Sequence, residues 1–319
     1  MKIIGNGSFG CVFSANNILD NSLVAVKVEK RNGKLHLLEF ESNYLSMLKG
    51  FGIPEIKSFG YNKYFYFLVE ELLGSNLIQI KYKINKFTLK DIAMIGIQMI
   101  DRIEYVHSKN ILHRDIKPEN FVKGYKDDSI IYIIDFGISR KYKSSRTGKH
   151  LKFRITGKVF GTLRYISYNA TRGVEQSRRD DLESIGYILI LLATGDLPWQ
   201  GVSRKEHDRK KKYLEILLLK KYTPIEVLCK NLPIEFVDYI KYCKNLQFEQ
   251  DPNYEYLRNL FKSILLKINE INDMKFSWCL IKSFFLKKKN SKNDDIKKGK
   301  NKYINFLRRK ETPQKILFK

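Results

Sequence analysis

No stretch of this chain is long and apolar enough to cross a bilayer as a helix. The longest apolar run is "YILILLA" (187–193), against the roughly 18–20 residues a span requires. Cysteine is scarce. Cys11, Cys229, Cys243 and Cys279 form no close pair and match no zinc spacing, which excludes a disulfide framework and predicts reduced thiols in a cytosolic or nuclear protein. Met1 runs straight into "KIIGNGSFG", so no signal peptide is expected. No internal repeat is visible. Acidic residues are in deficit: 34 Asp and Glu face 59 Lys and Arg, a formal net charge of +25. Such a field attracts nucleic acid, acidic lipid or acidic protein segments without choosing among them.

What is present suffices for a core. The 319 residues are 43% hydrophobic, enough for one large domain or a closely joined pair. The first seventy or so read as strands with one helix. "SLVAVKVEK" (22–30) alternates, with Val24, Val26 and Val28 on one face and Ala25, Lys27 and Glu29 on the other. "LHLLEFESNYLSML" (35–48) has helical spacing, and Glu41 lies on its apolar stripe. "YFYFLVEELLG" (64–74) is another strand. Beyond Gly74 the period turns helical. "TLKDIAMIGIQMIDRIEYVHS" (88–108) opens on an N-cap threonine with Asp91 three residues on. "IIYIIDFG" (130–137) reads as a buried strand, and "DLESIGYILILLATG" (181–195) as a central buried helix. Helical patterns continue to about residue 285, and residues 286–319 are a charged, low-complexity tail expected to be disordered. A small strand-rich lobe followed by a larger helical one predicts an α+β, two-lobed chain with a ligand site in the cleft.

Several features converge on that cleft. "GNGSFGCV" (5–12) is glycine-rich with strand-like residues on both sides, so it reads as a hairpin whose bare backbone can approach phosphates through Gly5, Gly7 and Gly10. A lysine on a strand is ordinarily a solvated charge. Lys27 reads differently because Glu41 faces inward on the next helix, and a buried carboxylate needs a partner. "HRDIKPEN" (113–120), joined to "DFG" (135–137), supplies the groups that phosphoryl transfer needs. Asp115 can orient and deprotonate an attacking hydroxyl. Lys117 can balance charge on the transferring group. Asn120 and Asp135 offer oxygens suited to magnesium. In combination and order these are the signatures of protein kinases, and residues 1–285 resemble a eukaryotic-type protein kinase, with 1–73 as small lobe and hinge and 74–285 as large lobe.

A-P-E, which usually closes the activation segment, is missing. The chain instead has "GTLRYISYNATRGVEQSRRDDLESIGYILI" (161–190), then "LPWQG" (197–201) and "TPIEVLCKNLP" (223–233). This run is similar to the casein kinase I family. The resemblance implies a serine/threonine kinase that uses ATP and Mg2+ on acidic or already phosphorylated proteins. It implies ATP binding by Gly5, Asn6, Gly7, Ser8, Phe9, Gly10, Val12, Ala25, Lys27, Glu71 and Leu73, with Lys27, Glu41, Asp115 and Lys117 as catalytic machinery and Asn120 and Asp135 as metal ligands. Asp181 is expected to support the catalytic loop through its backbone amides. Arg164, Arg209 and Lys210 are expected to hold the substrate's anionic group, arginine being able to do so bidentately.

Three departures shape the expectations. The chain starts within the first strand, so either the small lobe is less stable than in relatives or the native start lies upstream. Glu70 stands at the back of the adenine pocket, where relatives usually carry methionine, and could compete for Lys27 and disfavour inhibitors that enter there. The tail is basic with few hydroxyls, notably Ser291 and Thr312, which argues against tail autoinhibition and for nuclear entry or acidic partners. A kinase-fold scaffold without catalysis, and a salt-sensitive nucleic-acid binder, are the competing readings. Lys27, Asp115, Asn120 and Asp135 together favour an active enzyme, and a monomer is the default.

Overall fold

The computed structural model describes residues 2–7, 10–31, 36–202 and 209–279. Alternating and β-branched residues form five antiparallel strands: β1 (Lys2–Gly7), β2 (Gly10–Asn16), β3 (Leu23–Lys30), β4 (Ile56–Tyr61) and β5 (Phe65–Glu71). They make one sheet in the order β1-β2-β3-β5-β4. The β3–β5 register sets Ala25 opposite Glu70 and Lys27 opposite Leu68, so these four side chains share a face. Helix α1 (Leu37–Met47) packs against this sheet with Leu38, Glu41 and Leu45 buried. Its first amides are satisfied from the sheet rather than by a neighbouring cap: Leu37 N–H and Leu38 N–H donate to the Glu29 carboxylate at 3.2 and 2.8 Å. Glu29 thereby fixes where α1 begins.

A helical region follows: α2 (Leu77–Ile84), α3 (Leu89–Ser108), the short α4 (Tyr168–Thr171), α5 (Arg178–Thr194), α6 (Arg209–Tyr222), α7 (Ile225–Leu228), α8 (Ile234–Asn245) and α9 (Tyr254–Lys267). Thr88 and Asp91 close a reciprocal capping box at the start of α3, at 3.0 and 2.9 Å, as their spacing predicts. Helix α5 is buried without a break from Leu182 to Leu192 and packs against α3 and α8, while α9 covers α3 and α8. Between α3 and α5 lie β6 (Ile111–Leu112), a 3₁₀ turn (Pro118–Asn120), β7 (Phe121–Lys123), β8 (Ile131–Ile133) and β9 (Arg140–Lys141). These short ladders, β6 with β9 and β7 with β8, hold the loops that carry the cleft.

Three elements end sooner than their patterns suggest. β5 stops at Glu71 because Gly74 N–H turns to Lys123 O at 2.8 Å. β8 stops at Ile133 because Ile134 N–H bonds Asn120 O at 2.9 Å and Asp135 adopts φ 71°. The last long helix described, α9, closes at Lys267. The chain forms two compact units, Met1–Met274 and Lys275–Lys319. In the second, the rings of Phe276 and Trp278 stack at 4.0 Å. The expected disordered tail, 286–319, lies outside the described residues. Among the described residues no helix is long and apolar enough to cross a membrane.

Candidate active site

The β1–β2 hairpin brings Gly7 opposite Gly10. A Cβ at Gly10 would stand 2.0 Å from Val28 O, so the loop can fold this tightly onto β3 only with glycine there. Ser8 and Phe9, at the tip, lie outside the described residues. Behind the loop, Lys27 Nζ meets Glu41 at 2.7 Å and Glu70 at 3.0 Å. Both carboxylates are about 95% buried, and among the described residues Glu70 Oε2 has no hydrogen-bond partner. Burial alone would lower the Lys27 pKa; Glu41, Glu70 and, farther off, Asp135 outweigh it and hold the ammonium well above its ordinary value. Burial pushes Glu41 up to about 7, with Lys27 opposing and Asp135 and Glu70 adding to the rise. One ammonium between two buried carboxylates therefore leaves an acid excess.

In the helical region, Asp181 at the start of α5 accepts from the backbone amides of His113 and Arg114, each at 2.9 Å, and meets His107 Nε2 at 2.9 Å. Arg114 sits at φ 68°, a strained conformation that these bonds over-determine. The same anchorage aims the next residue. Asp115 Oδ2 receives Lys117 Nζ at 2.5 Å, and its Oδ1 receives both the amide and the hydroxyl of Thr162, at 3.0 and 2.8 Å. Lys117 also lies 3.9 Å from Asp135. Burial lowers its pKa, but Asp115 and then Asp135 more than reverse the effect, so it stays cationic. Asn120 spends its amide nitrogen on Asp115 O at 2.9 Å, which leaves its side-chain oxygen available.

These groups line one cavity of about 470 Å³: Gly10, Val12, Lys27, Glu41, Asp115, Lys117, Asn120, Asp135 and Thr162 are in its wall. Oxygens from Asn120 and Asp135, one amide and one carboxylate, fit magnesium. That ion keeps waters and phosphate oxygens in most of its positions and needs only one or two protein ligands. Among the described residues no denser cluster of metal-ligating side chains occurs. Ala25 is buried on the Lys27 face of the sheet, and Glu71 and Leu73 lie at and just beyond the end of β5. These three and Gly5 fall outside the wall of this cavity, as do Arg164 and Lys210. Arg164 lies two residues from Thr162, its backbone oxygen held by Trp199 Nε1 at 2.7 Å. Lys210 is exposed in the first turn of α6, and the side chain of Arg209 lies outside the described residues.

Pattern reading missed Thr162. Its signal was its place in "GTLRY", beside Gly161, whose φ of 95° and close approach to Arg114 O bring this segment against the catalytic loop. The same reading named the run that stands where A-P-E usually does, but not the bonds that the run makes. Ser167 donates to Asp180 and caps α4 by accepting from Ala170 N at 2.9 Å; Tyr168 N donates to Glu183 at 2.9 Å. Glu175 binds Arg140 at 2.8 Å and Arg154 at 2.9 Å.

A lysine held by carboxylates at the base of a glycine hairpin thus shares one cavity with a braced aspartate and the side chains of Asn120 and Asp135. The family model described as "Protein kinase domain" matches residues 1–265, and the chain belongs to the protein kinase family.

Proposed function

We propose that the chain is a serine/threonine protein kinase of casein kinase I type, acting from Mg-ATP on acidic or already phosphorylated proteins. One observation carries the reading: Lys27–Glu41, Asp115–Lys117 and the oxygens of Asn120 and Asp135 converge on a single cavity, with Thr162 of the substrate-side segment clamped to Asp115. Lys27 would hold nucleotide phosphate oxygens. Magnesium, carried by Asn120 and Asp135 when bound, would neutralise phosphate charge. Asp115 would orient the acceptor hydroxyl and take its proton as the new O–P bond forms and the bond to the ADP oxygen breaks, while Lys117 balances charge on the group in flight. Backbone around Glu71 and Leu73 would take the adenine edge.

The casein kinase I assignment rests on "SYN" and "EQSRRDDLES", whose side chains brace the substrate segment and the catalytic loop. Arg164, with Arg209 and Lys210 on α6, would receive the substrate's phosphate or carboxylate. The basic balance fits acidic partners, the tail would add to that attraction, and a cytoplasmic or nuclear site of action follows from the reduced-thiol composition.

The test is phosphate transfer from Mg-ATP to matched peptides, one unprimed and one with phosphoserine three residues before the target serine, with Asp135→Asn as control. Transfer that favours the primed peptide and vanishes in the control is the expected result. Full preference for primed peptide after charge reversal of both Arg164 and Arg209 would reject the anion-site assignment.

A further inference from the structure

One buried lysine has no place in the phosphoryl-transfer chemistry. Lys220, in the last turn of α6, is 1% exposed. Its ammonium donates to Leu163 O at 2.8 Å, Ile166 O at 2.6 Å and Thr171 Oγ1 at 3.1 Å. Three N–H donors thus meet three acceptors, and no ion pair of Lys220 is found among the described residues. The rings of Trp199 and Tyr187 flank the ammonium at 5.5 and 5.7 Å. Burying an ammonium without a carboxylate is costly, so the arrangement needs a reason other than charge pairing.

The acceptors supply it. Leu163 and Ile166 bracket Arg164 and Tyr165, and Leu163 follows Thr162, which holds Asp115 by two hydrogen bonds. Thr171 ends α4 and is itself tied to Ser167 O at 2.8 Å. Carbonyls pointing inward along 163–166 fix the direction of the neighbouring side chains and amides. We propose that Lys220 is a positioning residue for the protein substrate: from beneath, it sets the conformation of residues 162–166, and so the placement of Thr162 and Arg164 beside the acceptor peptide. It performs from α6 the anchoring for which this chain has no A-P-E. The proposal deepens the kinase reading given above and rests on it. Glu183 and Tyr187 on α5, Trp199, and Lys244 on α8 are the charged and ring groups that face this site.

The test uses the full chain as wild type, Lys220→Met, which keeps an unbranched apolar stem one atom shorter than lysine, and Thr171→Val. KM for the primed peptide, KM for Mg-ATP and kcat are measured, with amide hydrogen exchange over 161–171 read in parallel. Lys220→Met is expected to raise peptide KM about tenfold while ATP KM stays within about twofold, since two or three buried acceptors lose their donor. Thr171→Val is expected to move peptide KM the same way by about threefold. Exchange in 161–171 should quicken in both variants. Equal change in both KM values, or none, overturns the proposal. If Lys220→Met does not fold, Thr171→Val decides, and an unchanged peptide KM overturns it. A wild type that transfers no phosphate defeats the kinase reading alone; exchange over 161–171 then decides for Lys220, unchanged rates in the variants overturning it.

Discussion

Lys27 and Lys220 are both buried cations, and their surroundings drive them in opposite directions. Lys27 sits between two carboxylates and is held above its ordinary pKa. Lys220 sits among carbonyls, and burial brings it down to about 7, with Glu183 opposing and Lys244 assisting. The difference separates two uses of one side chain. A charge that must face phosphate is locked on by fixed anions. A donor that only has to hold backbone can dispense with them, because direction rather than charge is what it contributes. Lys27 is overmatched, with two acids for one base, and the surplus falls on Glu70, whose Oε2 has no hydrogen-bond partner among the described residues.

Removing the locked charge is the harshest way to break this comparison. Lys27→Met should lower phosphate transfer by about 10²–10³-fold, because among the described residues no other cation of the sheet or α1 lines the cavity. Peptide KM should hold, which is the reverse of the pattern expected for Lys220→Met. Single-turnover assays with ATP and peptide varied separately would show both; a Lys27→Met enzyme impaired mainly in peptide binding would erase the distinction.

Removing the surplus acid is gentler. Glu70→Met leaves one ammonium with one carboxylate and deletes a buried acceptor without a donor. Such a group costs about 1–3 kcal/mol, so thermal and urea melts should show a variant more stable by about 1 kcal/mol. Freed from its second carboxylate, Lys27 should engage nucleotide better, with ATP KM lower by about threefold. Inhibitors that push an apolar group behind the adenine should also bind the variant more tightly than the wild type. A less stable Glu70→Met would mean that Glu70 does more for the small lobe than contact Lys27.

How much of this could be read in advance follows the kind of interaction. The sheet, α1, α3 and α5 were legible because each carries its own period and, for α3, its own cap. Lys27 with Glu41 was legible because an acid on an apolar stripe demands a base. Glu70 was legible as a departure, and the structure sets it against Lys27 at 3.0 Å. Of the backbone contacts, the hold of Asp181 on the amides of His113 and Arg114 was expected from the resemblance; others were not legible. That Glu29 would cap α1 from a neighbouring strand, that Thr162 would bond Asp115, and that Lys220 would gather carbonyls from 163 and 166 depend on three-dimensional proximity that no local pattern carries. The run "EQSRRDDLES" stood out as a resemblance before its chemistry was visible. In the fold, Glu175 pairs with Arg140 and Arg154, Asp180 and Glu183 hold Ser167 and Tyr168, and Asp181 holds the amides of His113 and Arg114.

The smallest effect expected is a dependence on pH, and its sign follows from Glu41. Its pKa in the fold, about 7, lies above the ordinary 4.5. A group raised in this way contributes stability that is complete below its unfolded value and is lost as pH rises through its folded value. Between pH 6 and 8 the wild type must give up a proton from a site that already holds more acid than base. Glu70→Met removes one of the causes of the rise, so the variant should lose less over the same interval. Lys220 and Asp180 also titrate near 7, but both remain in the two proteins and cancel in the difference. The stability gap between Glu70→Met and wild type should therefore widen by about 0.3 kcal/mol from pH 6 to pH 8, since burial and Asp135 still raise Glu41 in the variant. Paired urea titrations at the two pH values measure it. A gap that stays constant would mean that Glu70 does not raise Glu41, and a gap that narrows would mean that it lowers Glu41.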